Sequence, residues 1–268
     1  MLTNLGKALI ITAILHREQT PVSGFKSEGS PLWIPESLGQ LEFSQLRETW
    51  LVPFYRELRG GVSKSDFEDR LANNTFIIFN YDRCFEHFMI HALKEYDQYS
   101  PTEAVEVFNR IKIIHPYGKI AELEWQSDAE IGVSFGDVDA IETALQNYSR
   151  IQTFMESSEK ELGDEILEEV TSAQNLVFLG FGYADQNLEL LGKGKDLTRS
   201  HNDSRRVFGT CYGLSSYQEV KARRALAPFL LVDPRPEMRH LLMSDKRVEL
   251  LNGTCSDLIN EYGSEWFG

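Results

Sequence analysis

Three short polar clusters in this sequence hold residue types that could do chemistry, and each follows directly on an apolar run. Residues 75–79 (Thr-Phe-Ile-Ile-Phe) lead into Asn80, Tyr81, Asp82 and Arg83. Residues 111–114 (Ile-Lys-Ile-Ile) lead into His115, Pro116, Tyr117 and Gly118, and residues 176–179 (Leu-Val-Phe-Leu) lead into Gly180, Phe181, Gly182, Tyr183, Ala184 and Asp185. Asn80 offers two N–H donors and a carbonyl acceptor, which suits orienting a water or a carboxamide. Asp82, when ionised, accepts from an amide and stabilises nearby positive charge. A histidine titrates near neutrality, so His115 can take a proton from a hydroxyl or from water. Gly180 and Gly182 let backbone approach a ribose or phosphate, and Asp185 can accept from a hydroxyl. Each cluster also has a plainer reading. Asn80 and Asp82 suit the cap of a following helix, His115 a hydrogen-bonded turn, the Gly-x-Gly a tight turn, and Asp185 the cap of a helix at residues 186–191.

The elements that must position these groups follow from hydrophobic patterning. A short, continuous apolar run bounded by polar residues is the mark of a parallel strand buried on both faces, and in open α/β sheets ligands sit beyond the carboxyl ends of such strands. Residues 207–210 and 248–251 read as two further strands, with a helix at 216–227 between them. An amphipathic helix is expected around residues 8–15, followed by a Gly-, Ser- and Pro-rich passage at 20–37 that is either a lid or a connector. Leu46, Trp50, Phe54 and Leu58 recur every four residues, with Pro53 as a kink or a break. Ser65 is the expected cap of a short helix ending at residue 71, with Asn73 and Asn74 as a turn. Residues 84–96 form a helix with Phe85, Phe88, Met89, Ala92 and Leu93 on its apolar face. The acidic segment 134–171 reads as a helical insertion, two helices broken near Gly163 and Asp164, with Ile141, Leu145, Tyr148 and Ile151 on one stripe. Five strands alternating with helices predict an α/β fold, a doubly wound, Rossmann-like parallel sheet within one domain spanning residues 1–268.

Composition narrows the function. The chain has 268 residues, 42% of them apolar, which is enough for a sizeable core. With 27 basic and 41 acidic residues its net charge is −14, so the average surface repels phosphate backbones and anionic lipid. Direct nucleic-acid binding is disfavoured; Lys221, Arg223 and Arg224 read as a solvated helix face. Cys84, Cys211 and Cys255 are odd in number and widely spaced, which builds no zinc ribbon and fits a reducing cytosol. His87 and His91 are four residues apart beside Glu86, but the pattern is not that of a helical zinc site. The apolar run at 8–11 is interrupted too soon to span a membrane, so a cytoplasmic location is expected.

Asn80-Tyr81-Asp82 after one strand, His115 with Gly118 after the next, and Gly180 with Gly182 after a later one resemble, in order and spacing, the sirtuin-like domains of bacterial antiphage defence proteins. The resemblance runs from about Leu5 to Tyr262. It implies a sirtuin-type fold and hydrolysis of NAD to nicotinamide and ADP-ribose, with NAD as substrate and no zinc. Asn80, His115 and Asp82 are then the implied catalytic residues, and Tyr81, Gly118, Gly180, Gly182 and Asp185 the implied contacts to the dinucleotide. It further implies an effector that depletes the cofactor in abortive infection and assembles with itself, with a sensor or ATPase partner, or with both. The sequence departs from the family in two places. The Gly-Ala-Gly-x-Ser turn that cradles the pyrophosphate is missing, so the chain is expected to lack the family's N-terminal portion, and Pro116 replaces the glycine that commonly follows the histidine. The alternative reading is a catalytically inactive assembly or nucleotide-sensing module. Deacylation is disfavoured by the missing four-cysteine module.

Overall fold

A computed structural model describes residues 2–19, 46, 49–126, 132–137, 139, 141–146, 151–152, 160–193, 204–230 and 246–267. The chain divides into two compact units, Met1–Ser157 and Ser158–Gly268. That division falls inside the segment 134–171 that the sequence marks as an insertion within one domain.

The first unit begins with α1 (Leu2–Gln19). Its buried face is the row Lys7, Ile11 and Leu15 at four-residue spacing, closing on Glu18. Next come α2 (Leu51–Arg59) and α3 (Lys64–Ala72). Pro53 neither kinks nor breaks α2. It lies in the first turn, where the missing N–H has no intrahelical partner to lose. Gly60 ends the helix in the left-handed region at φ 46°, its N–H donating to the Arg56 carbonyl. The cap of α3 is Ser63 rather than Ser65: the Ser63 hydroxyl accepts from the Asp66 N–H at 3.2 Å. Two serines two residues apart both satisfy the local rule, and the backbone angles select the first.

Strand β1 (Thr75–Ile77) pairs in parallel with β2 (Lys112–Ile114), Phe76 opposite Ile113. The connection runs through α4 (Cys84–Glu95) and α5 (Pro101–Phe108), the latter closed by a capping box of Ser100 and Glu103. Phe54, Phe76 and Phe85 meet with ring centroids 4.4–6.3 Å apart, which fastens α2 and α4 to the strand. Helix α6 (Ile141–Gln146) contacts α1. Ile141 packs with Ile151 against Ile11, Leu15, Ile120, Ala121 and Val133. The expected stripe therefore reaches the core of this unit through Ile141 and Ile151; the side chains of Leu145 and Tyr148 lie outside the described residues.

In the second unit, α7 (Lys160–Ser172) runs unbroken through Gly163 and Asp164, against the expected interruption. One glycine costs a helix about 1 kcal/mol, which burial of Ile166 and Val170 offsets. Strands β3 (Asn175–Phe178), β4 (Arg206–Thr210) and β5 (Val248–Leu251) pair in parallel in that order, joined through α8 (Asp185–Leu190) and α9 (Ser216–Leu226), and α10 (Cys255–Trp266) closes the chain. Arg205, fully buried, gathers the C-terminal carbonyls of α7: Val170 and Thr171 at 2.8 Å each, and Ala173. It also reaches the Phe229 carbonyl at 3.1 Å. Burial lowers its guanidinium pKa to about 10, still charged at neutral pH and well placed at a helix C-terminus.

All five expected strands exist and every pairing is parallel, so the fold is α/β. Among the described residues the strands form a two-stranded and a three-stranded sheet, not the single sheet that alternation of strands and helices suggests. Alternation dictates parallel pairing within each unit but not which strand bridges to which, and no described strand pairs with β1 besides β2 or with β3 besides β4. No described helix is long and apolar enough to cross a membrane.

One buried ion pair ties the first unit together. Arg83 and Glu18 are 0% and 1% exposed in their side chains, with Nη2 to Oε2 at 2.5 Å and Nε to Oε1 at 3.2 Å. The guanidinium also donates to the carbonyls of Val133 and Ser134, and Glu18 accepts from the Gly136 N–H at 3.1 Å. Burial pushes the Glu18 carboxyl upward against the pull of Arg83. Removing one partner strands the other charge, so Arg83→Met alone is expected to destabilise the chain by about 3–5 kcal/mol. Arg83→Met combined with Glu18→Gln should cost less than the two single changes summed. Denaturant midpoints of the four proteins measure both values, and strict additivity would mean that the pair does not act as a unit.

Candidate functional site

The carboxyl ends of β1 and β2 bring two of the sequence clusters together. The ladder continues past β1 through the Ile78 N–H, which donates to the Ile114 carbonyl at 2.8 Å. The chain then leaves the sheet at Asn80, while His115 leaves it one residue beyond β2. His115 Nδ1 lies 3.3 Å from the Asn80 carbonyl oxygen. The turn after His115 is closed by the Gly118 N–H donating to the His115 carbonyl at 2.9 Å, with Pro116 at the position that favours a fixed φ and Gly118 at φ 76°. A glycine directly after the histidine is thus not required to make this turn.

His115 is held from the far side by a residue the sequence reading passed over. Its Nε2 is 3.0 Å from Oε1 of Glu86, in the first turn of α4, with side chains 9% and 1% exposed. Lys119 Nζ reaches the same Glu86 oxygen at 3.4 Å, Glu122 at 2.8 Å and the Gln126 side-chain oxygen Oε1 at 3.3 Å. Burial alone would raise the Glu86 carboxyl, but the hydrogen bond and charge of His115, with Lys119 beyond, hold it below the usual carboxylate range. Its second oxygen, Oε2, is buried with no hydrogen-bond partner. The available signal was a carboxylate in a helical turn otherwise committed to burial, flanked by Phe85, Phe88 and Met89.

The remaining residues of this cluster divide by role. The Asn80 side chain is exposed, and no hydrogen bond to a described residue engages its carboxamide. Asp82 accepts from the Cys84 N–H at 3.1 Å but is not the cap of α4, a position that Arg83 holds without a side-chain bond. Tyr81 points its phenol into the unit: its hydroxyl donates to the Gln152 carbonyl at 3.0 Å, its carbonyl accepts from the Ile120 N–H, and its ring packs on the Ile11–Ile151 core. The turn that presents Asn80 is therefore tied to the turn that follows His115. Chemically, the arrangement supplies an exposed carboxamide on the residue whose backbone carbonyl meets one imidazole nitrogen, while the other imidazole nitrogen is bound to a carboxylate.

The third cluster lies in the second unit, at the carboxyl end of β3. Gly180 takes φ 59°, and its N–H donates to the Thr210 hydroxyl at 3.1 Å. Gly182 has open space where a Cβ would stand. Tyr183, also left-handed at φ 52°, donates to the Thr210 carbonyl at 2.8 Å, across the end of β4. Asp185 is not the cap of α8. It is the first helical residue, and its carboxylate pairs with Lys193 at 2.5 Å and Lys221 at 3.6 Å, which lowers its pKa. The Gly-x-Gly here is a turn locked by β4, with open backbone at Gly182.

Among the described residues no group of three His, Cys, Asp or Glu side chains is disposed to hold a metal, and all three cysteines are free. Comparison with models of known protein families, with curated proteins and with solved structures found no match.

His87 and His91 meet at a tilt of 56° with ring centroids 4.5 Å apart, and His87 lies flat on Phe135 at 4.1 Å. His87 Nε2 and His91 Nδ1 are buried without hydrogen-bond partners. Burial holds both imidazoles neutral, His91 down to about 4 and His87 well below its ordinary value. A histidine with a depressed folded pKa binds its proton more readily when unfolded. Stability is then full above about pH 6.5 and falls as pH drops toward 4, by about 1.4 kcal/mol per pH unit for each proton taken up. Urea midpoints between pH 7.5 and 4.5 should show that decline, and His91→Leu should flatten it. An unchanged slope in the variant would mean that other groups carry the acid sensitivity.

Proposed function

We propose that this chain is an NAD glycohydrolase of sirtuin-like type, cutting NAD to nicotinamide and ADP-ribose. The reading rests on one observation together with the sequence resemblance: Asn80 and His115 leave neighbouring parallel strands at the same end and meet there, with His115 Nδ1 3.3 Å from the Asn80 carbonyl. In the reaction, the bond between the ribose C1′ and the pyridinium nitrogen breaks, and its electron pair leaves with neutral nicotinamide. Water attacks C1′ and its proton passes to His115 Nδ1 and from there to solvent, while the Asn80 amide orients the water or the departing carboxamide. Asp82, fixed by the Cys84 N–H, contributes negative charge near the oxocarbenium-like ribose. Tyr81 and Gly118 act through the turns they hold.

The physiological role proposed is that of an antiphage effector in the cytosol, depleting NAD as a self-assembled oligomer or together with a sensor or ATPase partner. A second reading, a non-catalytic nucleotide-sensing module, is favoured by one feature. Both ring nitrogens of His115 face acceptors within the chain, a resting state that can be purely structural.

Nicotinamide release followed by chromatography separates the two. Asn80→Ala removes an exposed amide, so turnover should be abolished while the thermal melt stays unchanged. His115→Ala should lose about 10²- to 10⁴-fold in rate, the range for a general base. Turnover that survives both substitutions rejects this site, and a wild-type protein that binds NAD without releasing nicotinamide supports the sensing module.

A further inference from the structure

We propose that Glu86 is a positioning residue for His115: it keeps one proton fixed on Nε2, so that proton exchange takes place at Nδ1, the nitrogen turned toward Asn80. This deepens the reading of His115 as a proton acceptor and rests on it for its catalytic meaning, but its structural content stands by itself.

The geometry is asymmetric in the way such a role requires. Glu86 Oε1 meets Nε2 at 3.0 Å, whereas Nδ1 meets only a neutral backbone carbonyl at 3.3 Å. A carboxylate accepts hydrogen bonds and donates none, so the ring must present N–H to it. A charge-assisted bond of that length is roughly twice as strong as a neutral one. The Nε2 proton is therefore the tightly held one, and the Nδ1 proton is the one given up as the imidazolium becomes neutral. Two further facts concentrate the carboxylate's effect on the histidine. The Glu86 side chain is 1% exposed, so solvent does not screen it. Its other oxygen has no hydrogen-bond partner among the described residues, and His115 and Lys119 lie against the first. Of the charged groups around the pair, Lys119 comes from the turn after β2 and is itself drawn toward Glu122, with neutral Gln126 behind it.

With this tautomer set, the lone pair that forms on deprotonation lies at the strand ends, where Asn80 is exposed. The opposite tautomer would bury the lone pair against a carboxylate.

Two measurements on the full chain decide the proposal. The first needs no activity. Imidazole nitrogen chemical shifts of His115, assigned by their loss in His115→Gln, should show in the neutral ring a protonated Nε2 and a bare Nδ1. Glu86→Leu should erase that preference, or Glu86→Gln should reduce it if the leucine variant does not fold. A wild-type ring carrying its proton on Nδ1 overturns the proposal. The second is the kinetics of nicotinamide release. Glu86→Gln should lower kcat by about 10²-fold or more with little change in KM, and Glu86→Asp should recover part of the rate. An unchanged kcat in an active, folded Glu86→Gln protein also overturns it. Absence of turnover in the wild type rejects the glycohydrolase reading instead, and the chemical shifts then decide the role of Glu86 alone.

Discussion

A charge removed from water must be answered where it sits, and in the first unit that constraint is concentrated on Arg83. Its guanidinium has no solvent contact, and its partners are Glu18 at the end of α1 and the carbonyls of residues 133 and 134. Burying both ions costs several kcal/mol each unless geometry and hydrogen bonds are nearly complete. The unit meets that condition by drawing α1, the start of α4 and the 132–136 segment onto one point. Asn80 is three residues from that point and Glu86 three residues beyond it on the other side. The strand-end groups are thus held by a residue that does no chemistry of its own. The second unit repeats the device with Arg205, which gathers the end of α7 without a carboxylate partner among the described residues. There the helix carbonyls supply the negative end of a dipole in place of an ion.

The strand-end clusters were legible because a four-residue apolar run that stops at Asn or His is a local pattern with few physical explanations. The capping boxes at Ser100 and at Thr254 with Asp257 are equally local. What could not be read depended on distance along the chain. Glu18 and Arg83 are 65 residues apart, and Glu86 and His115 are 29 apart. Nothing in the spacing of either pair marks them as partners. The available hint was of another kind, a charged residue on a helix face otherwise given to burial, and it points to a buried partner without naming it. Where the reading erred locally, at Ser65, Gly163 and Asp185, each residue had the right propensity for the role assigned. A neighbour or the tertiary packing then settled the matter otherwise.

Pairing within each sheet also came through, whereas the grouping of strands into sheets did not. Parallel strands declare themselves by continuous apolarity and by the helices between them. Which edges meet is decided by surfaces that a linear pattern does not encode.

Gly209 and Tyr183 have a consequence for how this sequence can vary. A Cβ placed on Gly209, in β4, would collide with the Tyr183 hydroxyl and sit 3.0 Å from the Leu250 side chain. The tyrosine crosses the strand there to reach the Thr210 carbonyl. Position 209 cannot drift first: alanine there expels the phenol, and the carbonyl it leaves is buried. The two positions must evolve as a pair, with the larger side chain at 209 tolerated only after the hydroxyl at 183 is lost and the strand end has found another donor. A lineage of such chains would record that order of events as linked substitutions 26 positions apart, roughly one strand–helix–strand repeat.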